Sequence, residues 1–71
     1  MIKIWLDGFL TYVLHPEKLP AFLDEVYFTQ ALIPRRFFDI AAPILKKKGL
    51  VIERVQIIEG EVYDVWSEGT L

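Results

Sequence analysis

The stretch on which the fold turns is Ile2-Lys3-Ile4-Trp5-Leu6-Asp7-Gly8-Phe9-Leu10-Thr11-Tyr12-Val13-Leu14. Its first residues alternate, with Ile2, Ile4 and Leu6 on one side and Lys3 and Trp5 on the other, the period-2 signature of a half-buried strand. Asp7-Gly8 is a favoured dipeptide of the two-residue type I′ hairpin, whose central positions both need positive φ. A returning strand over residues 9–14 then sets Leu6 opposite Phe9, Ile4 opposite Thr11 and Ile2 opposite Val13. On the other side, Trp5 falls opposite Leu10 and Lys3 opposite Tyr12. The first set is a core face. The second is apolar through Trp5, Leu10 and Tyr12, so a helix of the same chain or a partner is expected to cover it. The competing reading is a strand followed by a short helix through 9–14. His15-Pro16 limits that helix, because the residue before proline is disfavoured in the α region.

Beyond the hairpin, Pro16 suits the first turn of a helix, with Glu17 near its positive end. Leu19, Phe22, Leu23, Val26 and Tyr27 form an amphipathic stripe, and Pro20 allows the start to lie nearer Leu19. This helix is predicted to end around residues 29–32. Pro34 opens a second helix, with Phe37, Ile40, Ala41, Ile44 and Lys48 on one stripe and Phe38 and Leu45 beside it. Pro43 inside that helix removes a hydrogen bond and clashes one turn back, at ~3 kcal/mol, so a kink or short break is expected there. Lys46-Lys47-Lys48 before Gly49 reads as its end, with cations at the negative pole and glycine at the left-handed position. Residues 50–58 are β-branched and apolar, and read as an inner strand with both faces partly covered. Glu59-Gly60 is a turn, residues 62–66 the last strand, and 67–71 a fraying end. The prediction is one α+β domain over residues 1–71. Its small antiparallel sheet has three to four strands, in the order β-β-α-α-β-β (or β-α-α-β-β without the first hairpin), packed against two helices.

Composition narrows the function. At 54 % apolar the 71 residues are no disordered tail, and they are too few for two ordinary domains. The chain has no cysteine, which excludes a thiolate metal site or a Cys nucleophile. No uncharged run approaches the ~18 residues of a membrane span, and Asp7 comes too early for a signal-peptide core. The expected location is cytoplasmic, with no membrane partner. A chain this short buries only ~60 % of its unfolded surface, and one core of this size supplies ~3–5 kcal/mol. The apolar surplus therefore predicts self-association, most simply a twofold homodimer. The absence of Asn and Cys, with one Met, is the depletion of labile residues seen in thermophile proteins.

The net charge of −2 makes nucleic acid the less expected partner. The charge is nevertheless segregated. Residues 1–28 sum to −2 and residues 49–71 to −4. Between them Arg35, Arg36, Lys46, Lys47 and Lys48 stand against Asp39 for +4. The two basic clusters fall at opposite ends of the second helix. They read either as an anion-facing surface for phosphate or an acidic partner, or as dipole complementation on a solvated face, which is favoured. They can also pair with the acidic end of the chain, within the fold or across a dimer. Trp5, Tyr12, Tyr63 and Trp66 are strand aromatics that either contact a partner or cover helix faces inside the monomer.

Catalytic signals are thin. His15 is the only histidine, and His15-x-Glu17 has no third ligand at metal-site spacing. Asp24 and Glu25 are helix neighbours that point apart, and Gly8, Gly49, Gly60 and Gly69 are isolated rather than a phosphate loop. No catalytic group, metal or cofactor is expected.

Ile44-Leu45-Lys46-Lys47-Lys48-Gly49-Leu50-Val51-Ile52-Glu53-Arg54, with Gly60-Glu61-Val62-Tyr63 and Ser67-Glu68-Gly69, resembles the tail of winged-helix transcriptional regulators. In those proteins a recognition helix ends at Gly-Leu-Val and runs into a β-hairpin wing. The resemblance implies a nucleic-acid-binding regulator using Arg35, Arg36 and Lys46–Lys48. The chain departs from the pattern in having two helices rather than three before this segment, and in carrying Glu59 and Glu61, which repel phosphate, on the wing. The reading that best fits the sequence is a small, non-enzymatic protein-interaction or regulatory module. It is expected to be homo-oligomeric and to act as an accessory protein, virus-encoded or from a thermophile. The winged-helix nucleic-acid binder is the alternative, and an enzymatic or small-ligand domain would need a polar-lined pocket.

Overall fold

A computed structural model describes residues 1–69. Five strands and two helices follow one another as β1 (Ile2–Leu6), β2 (Phe9–Val13), α1 (Leu19–Glu25), β3 (Gln30–Pro34), α2 (Phe38–Lys47), β4 (Leu50–Ile58) and β5 (Glu61–Glu68). Short 3₁₀ turns at Pro16–Lys18 and Arg35–Phe37 lead into the two helices. The strands form one sheet in the order β2-β1-β3-β5-β4, and every pairing is antiparallel. The class is α+β, as expected, but the element order is β-β-α-β-α-β-β with five strands.

The first hairpin forms in the expected register, from Ile2 opposite Val13 to Leu6 opposite Phe9. Asp7 and Gly8 take φ of 51° and 86°, the positive pair that a type I′ turn needs. Glu59 and Gly60 repeat the arrangement between β4 and β5 at 51° and 78°. The face assignment holds for Ile2, Ile4, Leu6 and Val13, which are buried, but not for Phe9, which lies exposed.

The strand missing from the sequence reading is β3. The first helix was expected to run to residues 29–32, yet α1 stops at Glu25, and Tyr27, assigned to its buried stripe, is exposed. Residues 31–34 are buried on both faces, because β3 lies between β1 and β5 in mid-sheet. A fully buried strand is a continuous apolar run, and periodicity cannot tell it from a buried helix. Asp7 fixes where β3 begins. Its Oδ1 accepts from the Thr29 backbone N–H at 3.0 Å, the Thr29 hydroxyl at 2.9 Å and the Gln30 N–H at 2.9 Å. These bonds hold the Asp7 carboxyl below its ordinary value, the Thr29 backbone donor contributing most. Pro34 closes β3 rather than opening the second helix.

The second helix runs unbroken through Pro43, so of the expected kink or short break, the break is absent. Pro43 lies on the exposed side, where its ring meets water, while Ala41, Ala42 and Leu45 face the core. Gly49 follows at φ 86° and closes the helix as its left-handed cap. The two helices cover one face of the sheet. There Ile4, Leu19, Leu23, Ile33, Leu45 and Trp66 form the main core. On the opposite face a smaller cluster gathers Leu32, Tyr63 and Val65, with Trp5 and Ile58 against it.

Residues 50–58 form an edge strand, not an inner one: among the described residues β4 pairs with β5 alone. Ser67 and Glu68, expected to fray, belong to β5, and the Gly69 N–H donates to the Gly49 carbonyl at 3.0 Å. The remainder of the expected frayed end, 70–71, lies outside the described residues.

Candidate functional site

Strand β4 forms the sheet edge opposite β2 and carries an exposed apolar surface. On its helix-side face exposure climbs from Leu50 at 2 % through Ile52 at 38 % and Val55 at 47 % to Ile57 at 69 %. The cause is geometric. Of β4, Leu50 alone belongs to the core cluster beneath the helices, and the side chains beyond it are left uncovered. Val62, opposite Ile57 on β5, extends the same exposed surface. Val51, on the other face, is exposed as well. The outer side of an edge strand also presents unpaired backbone N–H and C=O groups, a template for a further strand.

One irregularity divides β4. Ile52 lies opposite Trp66 and Arg54 opposite Val65, so Glu53 is an extra residue without a counterpart on β5. This is a β-bulge, and it reverses which residue parity faces the helices on either side of it. Glu53 and Arg54 form an ion pair of 2.9 Å at this point, each about half exposed. At the opposite edge β2 is shorter, and exposes Phe9, Leu10 and Tyr12.

The four strand aromatics singled out in the sequence separate in the structure. Trp66 is buried under α2 and stacks on Phe38, with ring centroids 6.1 Å apart. Tyr63 is buried on the opposite face and meets Trp5 edge-on at 5.5 Å, while its hydroxyl donates to the Lys3 carbonyl at 3.1 Å. Burial pushes the Tyr63 phenol above its ordinary value. Tyr63 and Trp66 are thus covered by their own chain, Trp5 is half-buried, and Tyr12 alone is exposed. The residues that sequence reasoning missed are the aliphatics of β4. They went unnoticed because an apolar strand reads as an inner one.

The basic residues are engaged internally. Arg35 Nε donates to Asp64 Oδ1 at 2.9 Å, with Nη2 on the same oxygen, and Asp64 is buried. This contact raises the Arg35 guanidinium above its ordinary value. Arg36 pairs with Glu61, Lys47 with Asp24 at 3.3 Å, and Lys48 Nζ donates to the Val26 carbonyl at 2.9 Å. Lys46 Nζ lies 5.7 Å from the Phe38 ring centre. The basic middle and the acidic end of the sequence therefore meet through Arg35–Asp64 and Arg36–Glu61, inside the fold. A further pair joins Lys3 to Glu59 at 2.8 Å and raises the Lys3 ammonium above its ordinary value.

Tyr27, Phe28, Lys48, Leu50 and Glu68 line an open pocket of about 170 Å³, below the ~300–1,000 Å³ of small-molecule sites. Among the described residues no three His, Cys, Asp or Glu side chains gather as a metal site, and no helix is long and apolar enough to cross a membrane. Comparison with protein-family models, with curated proteins and with solved structures finds no match.

Proposed function

We propose that the chain is a non-enzymatic protein-interaction module that works as a homodimer joined at the edge of its sheet. The observation that carries this reading is the exposure of Ile52, Val55 and Ile57 along β4, with Val51 on the other face, on a nine-residue strand that among the described residues is paired on one side only. Monomers blunt exposed edges with charge, proline, bulges or a covering loop; β4 has one charge pair and one bulge near its centre, yet leaves four aliphatic side chains exposed around them. Covering this one adds the burial that a domain of this size is short of. The internal pairing of Arg35, Arg36 and Lys47 supports the same reading, since it commits those cations to the fold. Light scattering coupled to size-exclusion chromatography, run over a dilution series, tests the proposal. The expected mass is twice the 8.3 kDa chain mass, falling towards one copy on dilution. A single-copy mass at every concentration overturns it.

A further inference from the structure

We infer that β4 pairs antiparallel with β4 of a second copy in one register, the one that sets the bulge on the twofold axis. This rests on the self-association proposed above and specifies its geometry. Across a twofold axis, if one residue opposes another, the second opposes the first. Opposed residues must also point to the same face of the sheet. In a regular strand these conditions put the axis on a residue, which then opposes its own copy. Strand β4 is not regular. Before the bulge, Leu50 and Ile52 face the helices and Val51 faces away; after it, Val55 and Ile57 face the helices and Arg54, Gln56 and Ile58 face away. Residues ahead of the bulge match in face with residues beyond it when Ile52 opposes Val55, Val51 opposes Gln56 and Leu50 opposes Ile57. The axis then falls between Glu53 and Arg54.

The charges favour the same register over its nearest neighbours. With the axis there, each Glu53 lies opposite the second copy's Arg54. A shift of the axis onto either residue opposes Glu53 to Glu53 or Arg54 to Arg54, and like charges directly opposite destabilise a strand pair. The ion pair that Glu53 and Arg54 form within the chain becomes a four-charge alternating cluster across the axis. The five-stranded sheet continues into the second copy, and Ile52, Val55 and Ile57 of both copies form an apolar floor between the two α2 helices.

The chain has no cysteine, so single-cysteine variants report on the register directly. Directly opposed residues lie about 4.5–5.5 Å apart at Cα, within disulfide reach. Ile52 and its own copy are offset by roughly 10 Å along the strand. Under mild oxidation a mixture of Ile52→Cys and Val55→Cys is expected to give mainly the mixed disulfide. Either variant alone should cross-link several-fold more slowly. Arg54→Glu is expected to weaken the dimer roughly tenfold, and Glu53→Arg with Arg54→Glu together to restore it. Circular dichroism confirms that each variant folds. Equal cross-linking of the single variants, or no rescue by the charge exchange, overturns the register. A dimer unmoved by these changes but dissociated by Tyr12→Lys places the interface on β2 and leaves self-association standing. A monomer at every concentration overturns both.

Discussion

Replacing Arg35 by alanine strands the one buried charge of the described core. The Asp64 side chain is 2 % exposed, whereas that of Arg35 is 55 % exposed. Among the described residues, both hydrogen bonds to the Asp64 carboxylate come from Arg35. Hydrogen bonds to charged groups contribute ~1.5–3 kcal/mol, and stripping the partner from a fully buried pair costs ~3–5 kcal/mol. Because water reaches the outer half of Arg35, the lower range applies, and Arg35→Ala should cost about 2 kcal/mol. In a domain of 60–100 residues that lowers Tm by about 8–16 °C. Asp64→Ala should cost less, because a half-exposed guanidinium left alone regains water. The joint change Arg35→Met with Asp64→Leu should lie closest to the parent, since an apolar pair replaces a buried ionic one at little cost. Urea titrations followed by circular dichroism at one fixed protein concentration measure all three. The fixed concentration matters, because association would otherwise contribute to apparent stability. If Arg35→Ala costs less than 0.5 kcal/mol, or less than Asp64→Ala, the reasoning from burial asymmetry is refuted.

Three further perturbations probe the scaffold. The Asp7 carboxyl is held below its ordinary value by Thr29 and Gln30, so its contribution is present above the unfolded carboxylate value and is lost as pH falls through the lowered folded one. Asp7→Asn keeps the turn, since Asn-Gly also suits type I′. It should be less stable than the parent at neutral pH, with the gap narrowing in urea titrations run towards acid. Gly8→Ala should cost about 1 kcal/mol, read in the same assay; the new Cβ meets nothing within 4 Å, so the cost comes from φ of +86° alone. Pro43→Ala restores a helix donor on the exposed side of α2, and should raise stability by about 1–2 kcal/mol by thermal melt.

Local chemistry was the legible part of the sequence. The first hairpin, its register and its turn followed from alternation and Asp7-Gly8, because a two-residue turn leaves the pairing little freedom. The end of α2 followed from three lysines and a glycine. What stayed hidden depends on neighbours distant in sequence. Strand β3 merged with α1 because burial on both faces erases its alternation. The one local clue was Pro34, which biases Ile33 towards extended backbone. Strand β4 read as interior because its side chains are apolar, although Glu53-Arg54 in its centre marked an edge. Segregation of charge along the chain allowed the basic middle to pair with the acidic end within the fold, but nothing local names the partners, since Arg35 and Asp64 are 29 positions apart. Tyr63 and Trp66 were recognisable as important aromatics, but which side of the sheet was covered, and by what, is a property of the whole fold.

Backbone amide exchange along residues 50–58, measured at rising protein concentration, tests the central claim most directly. Pairing at the β4 edge should slow the outward-pointing N–H groups as concentration increases, while the amides of β2 keep the same rates. If exchange along β4 is independent of concentration, the strand pairs with nothing, and the interaction module proposed here has no interface at that edge.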